Sequence, residues 1–188
     1  MIKAVIFDCF GVVFFDDFEK AYKHFGGDVV NDAEFIEQFL FDVSKGKQSW
    51  YEGIKERFGV SKQEWNEVNK EINSFNLELL NYIKELRQNY KVALLSNVGS
   101  DGLASYMDYQ VLEDHFDAIC ESAKIGFAKP EARAYEVAAD MLGVRLDECV
   151  FTDDRMPYIE GAQHVGMKTI LFKNTDQFKK EMELLLND

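Results

Sequence analysis

Apolar runs without polar alternation constrain this chain more than any other feature. Three of them are Ala4-Val5-Ile6-Phe7, Val92-Ala93-Leu94-Leu95 and Val150-Phe151-Thr152, and a fourth lies within Phe116–Cys120. A strand with one wet face alternates polar and apolar residues, whereas an unbroken apolar run flanked by helical pattern reads as a strand buried on both faces of a parallel sheet. Polar residues follow each run: Asp8 after the first, Ser96-Asn97 after the second, Lys129-Pro130 in the loop beyond Phe116–Cys120, and Asp153-Asp154 after the last. Parallel α/β sheets bind ligands outside the carboxyl ends of their strands. The pattern therefore predicts one site that collects a carboxylate, a hydroxyl and an amide, an ammonium, and a further pair of carboxylates. Such a set can hold a divalent cation and a phosphate together.

Between the first and second strands the chain changes character. From about Asp16 to Asn89 the pattern is helical, with Phe35, Ile36, Phe39, Leu40 and Val43 forming one apolar stripe. Asn31 with Glu34, Ser49 with Glu52 and Ser61 with Glu64 read as helix starts, and Gly46 and Gly59 as stops. A helix over Leu77–Gln88 leads into a strand at Lys91–Ser96. Strands at Phe116–Cys120, Cys149–Asp153 and Lys168–Phe172 then alternate with helices at Glu131–Leu142, Pro157–Val165 and the C-terminus. The expectation is an α/β fold, a doubly wound parallel (Rossmann-like) sheet. Residues 1–14 and 86–188 would form the core domain, and residues 15–85 a helical insertion after the first strand. The turn Asp8-Cys9-Phe10-Gly11-Val12-Val13 lacks both G-x-G-x-x-G and G-x-x-x-x-G-K-[ST], which disfavours dinucleotide and nucleotide P-loop binding.

Composition narrows the partners. With 188 residues, 47% of them hydrophobic and 16 of them Phe, the chain can build a substantial core. A formal net charge of −13 without any basic run argues against nucleic acid, whose binders concentrate Lys and Arg on one face. No run approaches the roughly 20 apolar residues of a membrane span, and the first apolar stretch, cut by Asp8, is not a signal peptide. Cys9, Cys120 and Cys149 lack metal-ligand spacing and lie in or beside buried strands, so they read as reduced core thiols that suit a cytoplasmic location. A small-molecule phosphate ester is the expected partner, and the oligomeric state stays open.

The chemistry follows from the residue types. An aspartate at a strand end can attack phosphorus and form an acyl phosphate. The carboxylate and the phosphate dianion repel, so a cation must screen them, and Asp153-Asp154 can hold Mg²⁺ through oxygen ligands. Ser96 and Asn97 can donate to phosphoryl oxygens, and Lys129 can neutralise remaining charge. Taken singly, each of these residues is more often a turn, cap or solvated loop residue. All of them at successive strand ends, in this order, is the stronger signal.

In these motifs the chain resembles the haloacid dehalogenase-like superfamily over nearly its whole length. The matching segments are Ile6-Phe7-Asp8-Cys9-Phe10-Gly11-Val12-Val13, Leu94-Leu95-Ser96-Asn97, Gly126-Phe127-Ala128-Lys129-Pro130-Glu131-Ala132-Arg133-Ala134-Tyr135, and Phe151-Thr152-Asp153-Asp154. The resemblance implies that Asp8 is the nucleophile and that Ser96 and Lys129 assist catalysis. It implies that Ser96, Asn97 and Lys129 bind substrate, and that Mg²⁺ is held by Asp8, Asp154, the Phe10 carbonyl and, through water, Asp153. The insertion would be a small helical cap. The stretch Lys129–Tyr135 is similar to the branch acting on α-D-glucose 1-phosphate, which implies a phosphatase for sugar-phosphate-like monoesters. One position departs: phosphatases of the superfamily usually carry an acid–base aspartate two residues after the nucleophile, and here Phe10 stands there. Tyr158 likewise replaces a usual Asn or Asp. Three alternatives follow: a weakly active or non-catalytic phosphate-binding homologue, a 2-haloacid dehalogenase, and a phosphoacceptor receiver domain, whose motif order is the reverse. Expected cap contacts are Phe14, Phe15, Asp16, Asp17, Trp50 and Tyr51, with Lys47 a solvated loop lysine.

Overall fold

The computed structural model of the protein describes residues 1–44 and 47–187. Five strands build the main sheet: β1 (Ala4–Phe7), β4 (Lys91–Ser96), β5 (Ala118–Glu121), β6 (Cys149–Asp153) and β7 (Lys168–Leu171). Their order is β5-β4-β1-β6-β7, every neighbouring pair parallel. Val5, Phe7, Val92, Leu94, Val150 and Ile170 bury one face against α5 (Leu77–Leu86), α6 (Tyr109–His115) and α10 (Thr175–Asn187). Ala4, Ile6, Ala93, Leu95, Cys149 and Phe151 bury the other against α8 (Ala132–Leu142) and α9 (Met156–His164). Two covered faces explain why the strands lack polar alternation. The chain leaves β1 toward β4 and β5, then returns to the other side of β1 for β6 and β7, so β1 lies at the switch point where such sheets place their sites.

The third strand begins at Ala118 rather than Phe116, because the Phe116 N–H still closes α6 on the Leu112 carbonyl at 2.9 Å. Cys9, Cys120 and Cys149 are free and buried. No described helix is long and apolar enough to cross a membrane.

A two-stranded antiparallel ribbon, β2 (Phe14–Phe15) with β3 (Ser74–Phe75), carries the chain into and out of the helical insertion. Buried Asn76 secures its return leg: its Nδ2 donates to the Val12 carbonyl and to Thr175 Oγ1, each at 3.1 Å, while its Oδ1 caps α5 at the Leu79 N–H. Leu79, Leu80, Ile83 and Leu86 join the core of the sheet, so α5 packs with the sheet although the sequence reading grouped residues up to 85 with the insertion. Inside the ribbon stand α1 (Phe18–His24), α2 (Ala33–Ser44), α3 (Trp50–Phe58) and α4 (Lys62–Ile72). Ala21, Phe39, Val43, Ile54 and Trp65 give them a small core of their own.

Ser61 and Glu64 form the reciprocal capping box, and Ser49 caps α3. Gly59 ends α3 at φ 70°, a conformation that favours glycine. Asn31 does not start a helix: it belongs to a turn built on the Asp28 carboxylate, and α2 begins at Ala33. The apolar stripe is split, since Phe39 and Val43 are buried while Phe35 and Leu40 are exposed. Gly46 lies outside the described residues.

Candidate active site

Each polar residue expected at the site is held by the end of a strand or by the loop beside one. Asp8 is the first residue past β1, and its N–H donates to the Thr152 carbonyl of β6 at 2.9 Å. The loop then turns as the Cys9 carbonyl accepts from Val13 and Phe14, each at 2.8 Å. Gly11 adopts φ 82° here, and a Cβ on it would fall 2.7 Å from Asp154 Oδ2. The backbone conformation favours glycine here, and any larger residue would also displace the Asp154 carboxylate. Ser96 closes β4 and Asp153 closes β6. Lys129 comes from the loop between α7 (Ser122–Ile125) and α8. Asn97 holds that loop in a reciprocal pair: its Oδ1 accepts from the Lys129 N–H at 2.8 Å, and its Nδ2 donates to the Lys129 carbonyl at 2.8 Å. The Asn97 amide, expected to meet substrate, thus also places the lysine loop, and Asn97 itself lines the cavity.

The charges converge on Lys129. Its Nζ lies 2.5 Å from Asp8 Oδ1 and 2.7 Å from Asp153 Oδ2, and all three residues are buried. The other Asp153 oxygen accepts from the Arg155 N–H at 2.9 Å, which leaves Asp153 directed at the lysine. The rings of Tyr158 and Phe151 flank the ammonium at 4.9 and 5.5 Å. Asp8, Asp153 and Asp154 each place a carboxylate oxygen within 4.8 Å of the others. Three carboxylates face one ammonium, so the cluster carries an excess of negative charge. Burial pushes the Asp8 carboxyl up to about 7, Lys129 draws it down, and Asp153 raises it again. Burial alone would lower Lys129, but Asp8 and Asp153 outweigh it and hold the ammonium above its ordinary value. Asp154 is raised by burial and by Asp153. A hard divalent cation with oxygen ligands fits this donor set and relieves its repulsion. Among the described residues Ser96 Oγ is buried without a hydrogen-bond partner, a costly condition that an oxyanion ligand would relieve.

A cavity of about 550 Å³ lies between this cluster and the insertion. Asp8, Asn97 and Lys129 line it from the sheet, and Phe18, Leu40, Phe41 and Trp50 from the insertion. Phe10 lines it as well, its ring edge-on to Phe14 (6.2 Å) and Tyr106 (5.4 Å). Tyr106 continues to Trp50 at 5.7 Å, and Trp50 to Phe18 at 5.4 Å. Of the expected cap contacts, Asp16 and Trp50 reach the cavity. Burial, with some help from Asp154, pushes the Asp16 carboxyl up to about 6 although the residue keeps solvent contact. Phe14 is buried beside Phe75, Phe15 is exposed in the ribbon, and Asp17 caps α1. Tyr51 lines a separate small pocket with Asp101, and exposed Lys47 pairs with Asp42 at 3.2 Å. Sequence reading missed Phe18, Leu40, Phe41, Tyr106 and Arg155. The adjacent apolar pair Leu40-Phe41, too wide for one helical stripe, was the available signal.

The model of the family described as haloacid dehalogenase-like hydrolase matches residues 2–166. The chain belongs to that family. Over 72 residues this hydrolase is 38% identical to bifunctional epoxide hydrolase 2 of Sus scrofa, a match covering 38% of the chain and only 13% of that relative. It is 27% identical to the D-ribitol-5-phosphate phosphatase of Bacteroides thetaiotaomicron across 100% of both chains. It shares its fold, at a TM-score of 0.73 and 24% identity, with a family enzyme of Bacteroides thetaiotaomicron solved with magnesium and inorganic phosphate, covering 92% of this chain and 95% of that one. Within the family's motifs, the hydrolase keeps Asp8, Lys129 and Asp153 in one buried cluster, with exposed Asp154 beside it.

Proposed function

We propose that this hydrolase is a Mg²⁺-dependent phosphatase that cleaves small phosphate monoesters through a phosphoaspartate on Asp8. The observation that carries the reading is the buried pairing of Asp8 and Asp153 with the Lys129 ammonium, with exposed Asp154 within 4.8 Å of both carboxylates and Ser96 Oγ left unpartnered among the described residues at the adjacent strand end. The ribitol-phosphate phosphatase relative and the magnesium–phosphate complex of the structural relative support it. Asp8, Asp154, Asp153 and the Phe10 carbonyl would hold the metal, and Mg²⁺ would screen the repulsion between the attacking carboxylate and the phosphate.

The protein's own residues perform the rest. An Asp8 oxygen attacks phosphorus while the bond to the leaving oxygen breaks and its electron pair departs with that oxygen. Ser96 Oγ–H donates to a phosphoryl oxygen, and Lys129 offsets the charge that develops. Water then attacks the acyl phosphate, releasing inorganic phosphate and restoring Asp8. The helices within residues 16–73 act as the cap that excludes bulk water. Phe10 moves no proton, so the rate should depend steeply on how well the leaving oxygen carries charge. General acid assistance is worth roughly 10²–10⁴-fold where it exists.

Of the stretch that suggested sugar phosphates, Arg133 pairs with Glu136 at 2.8 Å and the Tyr135 hydroxyl donates to the Tyr158 carbonyl at 2.7 Å; Lys129, Pro130 and Glu131 line the cavity. The test is a panel of phosphate monoesters assayed with Mg²⁺ and with EDTA, on the wild type and on Asp154→Ala. Turnover that needs Mg²⁺ and falls in Asp154→Ala is expected. Equal rates in EDTA, or chloride release from haloacids without metal, would overturn the reading.

A further inference from the structure

The cavity wall that extends away from Asp8 is apolar over most of its extent. Phe10, Tyr106, Trp50 and Phe18 run as a chain of edge-on rings from the nucleophile loop into the insertion, each contact between 5.4 and 5.7 Å. Leu40 and Phe41 complete the wall from α2 and remain 43% and 51% exposed. The amides near this wall are tied up locally: Asn69 Nδ2 donates to the Trp65 carbonyl at 2.8 Å and accepts at Oδ1 from Asn73, whose own Oδ1 takes the Asp17 N–H. Asp16 and Glu37 offer acceptors only. A polyol needs donors and acceptors in matching number, because a site that buries hydroxyls without partners loses affinity. This wall instead supplies rings and methyls, its donors being the Tyr106 hydroxyl and the indole N–H of Trp50, buried without a partner among the described residues; Arg155 and Tyr158, which also line the cavity with donors, lie beside Lys129 at the phosphate end.

We propose that the substrate is the phosphate ester of a bulky apolar alcohol, by preference an aromatic one, whose organic group lies along Phe10, Tyr106, Trp50, Phe18, Leu40 and Phe41. Phe10 then has a use at the position where a proton carrier would otherwise stand. It continues the apolar wall up to the reacting phosphate, and an aryl oxygen leaves as a stable anion without needing a proton. The inference rests on the phosphatase reading for the phosphate end and on the cavity wall for the rest, and the two can fail separately.

The experiment measures binding of methyl-, butyl- and hexylphosphonate, which cannot be hydrolysed at carbon–phosphorus, to the Mg²⁺-supplied protein. Turnover of phenyl and 2-naphthyl phosphate, whose leaving groups differ little in acidity, is measured alongside. Each buried methylene is worth about three- to fourfold in affinity, so hexylphosphonate, longer by five methylenes, should bind about 200- to 1,000-fold tighter than methylphosphonate where all are buried, and 2-naphthyl phosphate should have the higher kcat/KM. The paired substitution Leu40→Ser and Phe41→Ser, at exposed positions that leave the cores intact, should reduce that chain-length dependence to within about fivefold. Phe35→Ser, on the same helix but away from the cavity, should keep it. Tightening with chain length but no turnover of any monoester would retain the apolar site and overturn the phosphatase. Affinity that is flat or falls with chain length would overturn the apolar substrate class whatever the turnover, as would tighter binding of ribitol 5-phosphate or glucose 1-phosphate than of hexylphosphonate. Full chain-length dependence in the doubly substituted protein would overturn the wall.

Discussion

In the sheet, Ile6, Leu94 and Phe151 are fully buried, whereas in the insertion Phe35, Leu40 and Phe41 stay 41%, 43% and 51% exposed. The two regions contain similar side chains and use them differently. The sheet buries both faces under helices and carries its polar groups at strand ends, where Lys129, Asp8 and Asp153 fix one another at 2.5 and 2.7 Å. The insertion encloses a small core around Phe39, Ile54 and Trp65 and turns Phe18, Leu40 and Phe41 toward the cavity. It meets the sheet body through few specific contacts: Ser49 Oγ donates to Asp101 Oδ2 at 2.7 Å, and Trp50 packs on Tyr106. On the proposed function, the chemistry would fall to the densely packed sheet and selection of the organic group to the more sparsely anchored insertion. An element tied down by fewer buried contacts opens at lower free-energy cost, as lids do.

The division can be broken most directly at Asp8. Asp8→Asn should keep the melting transition and lose turnover by about 10⁴-fold or more, as removal of a covalent nucleophile does; steady-state assays beside circular dichroism check it, and a folded variant with wild-type rate would remove Asp8 from the mechanism. Lys129→Met should come next. It leaves three carboxylates without their ammonium, and breaking a buried pair in this way costs about 3–5 kcal/mol. Urea unfolding of the metal-free protein measures the loss, and added Mg²⁺ should recover part of it by binding the native state.

A matched pair of leucines then sharpens the contrast. Leu94→Ala, in the centre of the sheet, should lower stability by about 2–5 kcal/mol, whereas Leu40→Ala should stay within about 0.5 kcal/mol and act on kcat/KM instead. Equal stability losses would mean that α2 is packed as firmly as β4. The smallest effect concerns Asp16, whose carboxyl is raised from 3.8 to about 6 by burial. As pH rises from 4 to 6 the unfolded chain gives up this proton first, so the group subtracts stability across that window and fully above it. Because Asp16 is exposed and solvent screens much of this effect, Asp16→Asn should melt only slightly higher than wild type above pH 6, by about 1–2 °C, the gap closing toward pH 4. A constant gap at every pH would show that the carboxyl keeps its ordinary affinity for protons.

Much of the sheet was legible before any coordinates. Lys91–Ser96 and Cys149–Asp153 appear with the bounds read from their apolar runs. An unbroken apolar run flanked by helices has one low-energy use, and the residue that ends it must lie at the sheet's edge. Asp8, Ser96, Lys129, Asp153 and Asp154 were for that reason all expected at one end of the fold. What their side chains do there was not legible. The clamp of Asn97 on the Lys129 backbone has no sequence signal, because its partner stands 32 residues away. Leu40 reads as part of an apolar stripe on helical spacing, yet the helix faces a cavity whose other wall comes from Phe10 and Tyr106. Periodicity reports that a face is apolar and is silent on whether protein or ligand covers it. The strands, their order of polar ends and the family's acidic and basic residues thus follow from local sequence, because burial on both faces imposes its pattern residue by residue. The cavity wall and the pairings within the cluster were decided only by tertiary structure, because they arise between segments whose approach no local pattern encodes.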